Sequence, residues 1–153
     1  MLVGIALSAL GNGLVLPYTF IYFHNIRGFS TVLAGVIVSY GALIALLISP
    51  IVGNLIDKWG PKPVLLASLI VSSVGYCGLS LVKTIPQAFF VATICSIGQA
   101  SMWPSQGAIS TELTPEPLRE RIYGAQFAML NLGIGIGGLV SSLVVTIDNA
   151  RTF

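Results

Sequence analysis

One short segment, residues 53–63 (GNLIDKWGPKP), carries one carboxylate and two ammonium groups in a chain that is only 8% charged. It offers Asp57, Lys58 and Lys62 for charge pairing, but no nucleophile with a neighbouring base for covalent chemistry. Because Asp57 follows a long apolar run, we expect its carboxylate where a helix leaves the membrane. There it can meet a cation or the positive N-terminal end of a facing helix. The alternative is a simple interfacial stop with solvated charges.

A second charged segment, ELTPEPLRERIYG, covers residues 112–124. If both segments lie on one membrane face, four side chains are expected to form an ion-pair cluster that breaks when a gate opens: Asp57, Glu112, Arg119 and Arg121. An exposed ion pair contributes only ~0 to 1 kcal/mol, so such a cluster suits switching better than stability. The alternative is a set of ordinary juxtamembrane charges.

The composition of the rest of the chain indicates which kind of structure holds these charged segments in place. With 55% hydrophobic residues, 8% charged residues and a mean hydropathy of +0.93, it is too apolar for a soluble domain, which needs roughly 25% charged residues. The charges separate five uncharged runs, each long enough for the about 20 helical residues that cross a bilayer. Apolar–polar alternation, the mark of a membrane barrel, is absent. We therefore predict an all-α membrane protein, one transmembrane domain over residues 1–153, with helices at about 2–23, 31–55, 63–82, 87–110 and 122–147.

Several classes of function are disfavoured by composition. The net charge of +2, without a basic cluster, does not favour nucleic-acid binding. Cys77 and Cys95 lie in apolar runs and are expected to be buried free thiols, so neither a metal site nor a cofactor is predicted. His24, the single histidine, is expected in an outer loop. An intramembrane enzyme is therefore not expected.

Polar side chains follow one face of the fourth predicted helix, at steps of three or four residues: Ser96, Gln99, Trp103, Gln106 and Ser110. Facing lipid, such a face would leave amides unsatisfied, so it is expected to line a water-filled cavity or to contact another helix. The first helix carries a comparable face with Ser8, Gly11, Tyr18 and Tyr22, and Asn12 beside it. The candidates for substrate contact are Asn12, Tyr18, Tyr22, Gln99, Trp103 and Gln106, with Tyr40 and Gln126 as weaker ones. For each of them, hydrogen bonding between helices is the alternative.

The fifth predicted helix contains small residues at regular spacing. Gly133, Gly137 and Ser141 recur every four residues, and Gly138 lies in an adjacent stripe. Small residues at this spacing allow helix backbones to touch in lipid. These four residues are therefore predicted to pack against another helix.

Residues 53–65 resemble the cytoplasmic loop signature of the major facilitator superfamily, G-x-L-A-D-[RK]-x-G-[RK]-[RK]-x-x-[LI]. The matching residues are Gly53, Leu55, Asp57, Lys58, Gly60, Lys62 and Leu65. The segment from Glu112 to Gly124 resembles the one that follows the fourth span in the same superfamily. The small-residue stripe is similar to its antiporter signature, with Gly138 in place of the proline.

This resemblance implies a secondary transporter of small molecules, similar to drug or metabolite exporters, that works by alternating access in the plasma (bacterial inner) membrane. It implies that Asp57 latches a cytoplasmic gate and that the first and fourth spans line the substrate cavity. Superfamily members have two halves, so the chain is expected to be an N-terminal fragment, inactive without a C-terminal half. The alternative is a small membrane structural or assembly protein whose five spans are complete.

Overall fold

The computed structural model describes the backbone of residues 2–151 and the side chains in that range except those of residues 16–18, 26 and 144–151. Its long helices are α1 (Leu2–Ile21), α2 (Thr31–Trp59), α3 (Pro61–Leu79), α4 (Ile85–Leu113) and α5 (Arg119–Arg151). A π-helical turn (Tyr22–Ile26) follows α1, and a 3₁₀ turn (Glu116–Leu118) precedes α5. The described residues contain five helices long and apolar enough to cross a membrane, as the charge pattern predicts.

The reversal between α2 and α3 is a single residue, Gly60. The sequence predicted that α2 ends at residue 55, but the helix continues to Trp59, and the Gly60 N–H donates to the Ile56 carbonyl at 2.8 Å. Gly60 has a φ of +82°, a conformation that residues with a Cβ rarely adopt. Pro61 then begins α3 at the first helical position, where a proline has no hydrogen bond to lose. The charges mark where α2 leaves the apolar layer, not where its hydrogen bonds end.

Two other helix starts are set by side-chain caps. Ser30 precedes α2, and its Oγ accepts from the Leu33 N–H at 3.2 Å. At the start of α4, Gln87 Oε1 accepts from the N–H groups of Lys83 at 2.9 Å and Thr84 at 3.2 Å. This is the returning half of a capping box, and it begins α4 two residues before the predicted position.

The helices form two compact units. Unit 1 contains α1, α5 and the two short turns, and unit 2 contains α2, α3 and α4. Within unit 2, α4 packs against both other helices. It is therefore the helix whose side chains decide how that unit holds together.

In unit 1, α1 and α5 pack backbone against backbone. A Cβ built on Gly133 would lie 2.6 Å from Ala9 Cβ, and one on Gly137 would lie 2.9 Å from the Cα of Gly13. Real Cβ atoms do not approach other atoms so closely. Ser141, one turn further along α5, is buried. Gly138 differs from these residues, because a Cβ there would meet no described atom within 4 Å.

In unit 2, glycines bring α3 and α4 into similar contact. A Cβ on Gly75 would lie 2.9 Å from the backbone nitrogen of Cys95, and one on Gly98 would lie 2.9 Å from the Cα of Ser72. Cys95 is thus partly buried between the helices. Cys77, predicted to be buried, is exposed because it lies outside the Gly75 contact face of α3.

Replacing Gly137 with alanine should destabilise unit 1, whereas the same change at the neighbouring Gly138 should not. The new methyl group at position 137 would overlap the α1 backbone, and overpacking of this kind costs ~1 to 3 kcal/mol. At position 138 the methyl group has open space and favours the helix by up to ~1 kcal/mol. Unfolding of the chain in detergent, followed by circular dichroism, measures the difference. Equal stability of the two variants would contradict the packing described.

Candidate functional site

The polar face of α4 is divided between helix contacts and accessible positions. Gln99 Nε2 donates a hydrogen bond to the Tyr76 hydroxyl on α3. Ser96 is half-buried, and its Oγ would lie 2.7 Å from a Cβ on Gly41 of α2. Gln99, predicted to contact substrate, and Ser96, predicted to lie on the same stripe, thus contact helices of their own unit, which is the alternative that the sequence left open.

A second tyrosine connects α2 to α4. The Tyr40 hydroxyl lies 3.1 Å from Thr93 Oγ1, and its ring packs edge-on against Phe89 with centroids 5.1 Å apart. Thr93 Oγ1 also lies 2.9 Å from the Phe89 carbonyl, to which it donates. Since a hydroxyl has a single proton, Tyr40 is the donor to Thr93. Tyr40 therefore links α4 to α2, and Tyr76 links α4 to α3.

Three buried serines in the second half of α4 satisfy their hydroxyl groups within the helix itself. The hydroxyls of Ser101, Ser105 and Ser110 donate to carbonyls four residues back in the same helix, at 2.8, 2.8 and 2.7 Å. Such bonds satisfy a hydroxyl in an apolar environment and allow a helix to bend. Ser110, predicted to be part of the polar stripe, is among them.

Trp103 and Gln106 are the other two members of the stripe. The side chain of Trp103 is 38% exposed, and Gln106 is half-buried one turn further along α4. Trp103 precedes Pro104, which removes one hydrogen bond from the middle of the helix. An indole and a carboxamide here combine a stacking surface with hydrogen-bonding groups, the combination that binds small organic molecules in protein pockets.

The candidates on α1 have different surroundings. Asn12 is buried, with 8% of its surface exposed. Tyr22 lies in the π-helical turn, where Arg27 Nε donates to its hydroxyl at 2.6 Å and the guanidinium carbon lies 5.1 Å from its ring centre. His24 is exposed in the same turn. The side chain of Tyr18 lies outside the described residues.

The predicted gate residues around Gly60 are exposed and have no polar partner in the described part of the chain. Asp57 and Lys58 lie in the last turn of α2, and Lys62 lies in the first turn of α3. Asp57 is at the negative end of the α2 dipole, an unfavourable position for a carboxylate by ~0.3 to 1 kcal/mol. A Cβ on Gly53 would meet no described atom within 4 Å. This end of unit 2 therefore carries charges that its own helices leave uncompensated.

The connection between α4 and α5 contains a local ion pair that the sequence did not predict. Arg119 Nη1 lies 3.5 Å from Glu116 Oε1, and its Nε donates to the Thr114 carbonyl at 3.3 Å. Glu112 and Arg121 are both exposed. Asp57 and Glu112 belong to unit 2, whereas Arg119 and Arg121 belong to unit 1. The predicted ion-pair cluster would have to form between the two units, so it stays a prediction.

Sequence reasoning missed the face of α3 that contacts α4. Ser68, Ser72 and Gly75 are buried on that face. Their spacing of four and three residues is the small-residue signal that was used for α5, and it was available in the sequence. Tyr76 had no comparable signal, because a tyrosine within an apolar run is compatible with a packing role.

Comparison with known proteins gives one family. The family model described as Major Facilitator Superfamily matches residues 1–152. No solved structure gives a significant match.

Several bacterial relatives match most of the chain at low identity. Multidrug resistance protein 1 of Bacillus subtilis is 26% identical over 147 residues, 94% of this chain and 38% of the relative. The class H tetracycline resistance protein of Pasteurella multocida is 27% identical over 149 residues, 96% of this chain and 37% of the relative. Quinolone resistance protein NorA of Staphylococcus aureus is 27% identical over 143 residues, 91% of this chain and 37% of the relative. The chain thus spans 37 to 38% of the length of these relatives.

Replacing Tyr76 with phenylalanine should weaken unit 2 through loss of the hydrogen bond to Gln99. Hydrogen bonds between membrane helices contribute ~0.6 to 2 kcal/mol, so a loss within this range is expected on unfolding in detergent. In a Gln99→Met background the bond is already absent, and Tyr76→Phe should then have almost no effect. Equal losses in both backgrounds would mean that the two side chains are not coupled.

Proposed function

Because the chain belongs to the Major Facilitator Superfamily, we propose that it forms the first helices of a secondary active exporter of small organic molecules. The chain is a multi-pass integral membrane protein of the plasma membrane, with five candidate spans among its described residues. We propose further that it works with a C-terminal helical half, since the relatives are much longer than this chain. Alternating access then consists of rocking of the two halves about a site between them.

The observation that carries the export proposal is the accessible indole and carboxamide on α4, where several other polar side chains are hydrogen-bonded within unit 2. Trp103 and Gln106 remain accessible, whereas Gln99 is engaged by Tyr76. We infer that Trp103 stacks on an aromatic or planar substrate and that Gln106 donates or accepts a hydrogen bond. Three relatives are named for resistance to multiple drugs, tetracycline and quinolones. A planar drug-like substrate agrees with the chemistry of this face.

The turn at Gly60 supports a gate at one end of unit 2. Asp57 is exposed in the last turn of α2, where its carboxylate has no described partner and opposes the helix dipole. A cation or a helix N-terminus supplied by the C-terminal half would relieve both conditions. We propose that this contact closes the gate and breaks when it opens, with Glu112, Arg119 and Arg121 of the α4–α5 connection contributing to the same gate.

The export proposal is tested in cells that lack their own exporters and express the longer protein containing this chain. Accumulation of tetracycline and of a quinolone should fall on expression. Trp103→Ala should raise the KM for at least one of them by about tenfold, since base–aromatic and similar stacking contacts contribute ~1 to 3 kcal/mol. Trp103→Phe, which keeps an aromatic ring, should retain more of the affinity.

Unchanged accumulation of every compound by an inserted, folded protein would contradict the export proposal. If the 153-residue chain alone also folded stably and bound no solute, the alternative of a structural or assembly protein would be favoured.

Asp57→Asn should slow transport without preventing substrate binding. Asparagine keeps the size of the side chain but loses the charge that the latch requires. We expect kcat to fall by at least about tenfold, since a hydrogen bond to a charged group contributes ~1.5 to 3 kcal/mol, with little change in KM. Glu120→Gln, an exposed carboxylate outside the predicted latch, is the matched control. Unaltered turnover of the Asp57 variant in an initial-rate efflux assay would remove the latch role.

A further inference from the structure

An exposed apolar stripe on α3 begins at a lysine. Leu66, Ile70 and Val74 follow Lys62 at four-residue steps, and their side chains are 63, 66 and 57% exposed. Residues at this spacing lie on one face of a helix, each one turn above the last. Lys62 is itself exposed and lies at the end of this face, in the first turn of α3.

A similar stripe on α2 ends at the other lysine of the turn. Leu43, Leu47 and Ile51 are 53, 60 and 52% exposed, again at four-residue steps. Lys58 lies seven residues beyond Ile51, which is about two helical turns. Because Gly60 alone separates α2 from α3, the helix ends that carry the two lysines are adjacent.

The length of these stripes corresponds to one leaflet of a bilayer. Lys62 and Val74 are twelve residues apart, or about 18 Å along the helix at ~1.5 Å per residue. Half of a hydrocarbon core of ~30 Å is about 15 Å. Trp59, between the two lysines in the chain, is 60% exposed. An indole at this level is typical of the membrane–water interface.

The charge of the turn favours an anion. Lys58 and Lys62 outnumber Asp57, while the negative end of the α2 dipole and the positive end of the α3 dipole meet at the turn and largely offset each other. None of these three side chains has a polar partner in the described residues. The lysines are four residues apart, so their Cα atoms lie within about 15 Å, and two flexible ammonium groups can approach one phosphate.

We propose that the α2–α3 turn binds an anionic phospholipid. Its phosphate contacts Lys58 and Lys62, its glycerol region lies beside Trp59, and an acyl chain lies along Leu66, Ile70 and Val74. Two ammonium groups lie at the end of an apolar stripe as long as one leaflet. This combination favours a lipid over a soluble anion, because a soluble anion has no acyl chain to contact the stripe. This proposal goes beyond export and does not depend on it.

The test uses quenching of Trp59 by brominated lipids. The chain contains two tryptophans, so Trp103→Phe leaves Trp59 as the single reporter. This protein is placed in phosphatidylcholine vesicles that contain a minor fraction of either brominated phosphatidylglycerol or brominated phosphatidylcholine. Brominated phosphatidylglycerol should quench Trp59 more strongly at equal mole fraction. Its relative association constant should fall about fivefold on Lys58→Gln or Lys62→Gln and about 30-fold on both, given ~1 kcal/mol per lysine near an anionic surface.

Two controls separate a site from general charge attraction. Arg121→Gln removes an exposed basic residue that follows the turn by two spans in the chain, and therefore lies at the same membrane surface, and it should leave the preference unchanged. Replacing both Lys58 and Lys62 with arginine keeps the charge and should keep the preference, and circular dichroism checks the helix content of every variant. Equal quenching by the two lipids would overturn the proposal, as would an undiminished preference after both lysines become glutamine.

Discussion

Direct contact between helix backbones at glycines is the interaction on which both units depend. Lipid offers helices no hydrophobic gain on association, so they are held together by close packing and by polar contacts. Gly133 and Gly137 bring α5 onto α1, and Gly75 and Gly98 bring α3 onto α4. The same device thus builds two units of different composition. It requires a glycine on the contact face itself, and Gly138 does not take part because no described atom faces it within 4 Å.

Polar groups inside the units follow a second constraint, that each must find a partner away from water. The serines of α4 bond to carbonyls of their own helix, and Tyr40 and Tyr76 bond to Thr93 and Gln99 across helix contacts. Ser72 is the exception among the described residues, because its buried Oγ lies against Gly98 without a hydrogen-bond partner. Most polarity is therefore used for assembly. Trp103 and Gln106 on α4 and the charges beside Gly60 are among the groups that remain accessible.

The number of spans could be predicted from the sequence because buried charge in a membrane is costly, so charges necessarily separate the spans. The helix ends could not, since a helix continues into water for as long as its hydrogen bonds are made, as α2 does through Asp57 and Lys58. The polar stripe of α4 was visible as a pattern. Gln99 and Ser96 of this stripe contact Tyr76 and Gly41, which lie on other helices. The periodicity within α4 carries no information about residues on other helices, so these contacts could not be predicted from it. Likewise, spacing alone did not distinguish Gly137 from Gly138.

The one-residue reversal at Gly60 also has a consequence for how the protein is made. A connection this short leaves no flexible linker between α2 and α3, so the insertion of one helix constrains the position of the other. We therefore expect α2 and α3 to partition from the translocation machinery into the bilayer together, as an antiparallel pair. For protein engineering, the same feature makes the α2–α3 junction unsuitable for an epitope tag or a protease site, whereas the residues between α3 and α4 provide room for either.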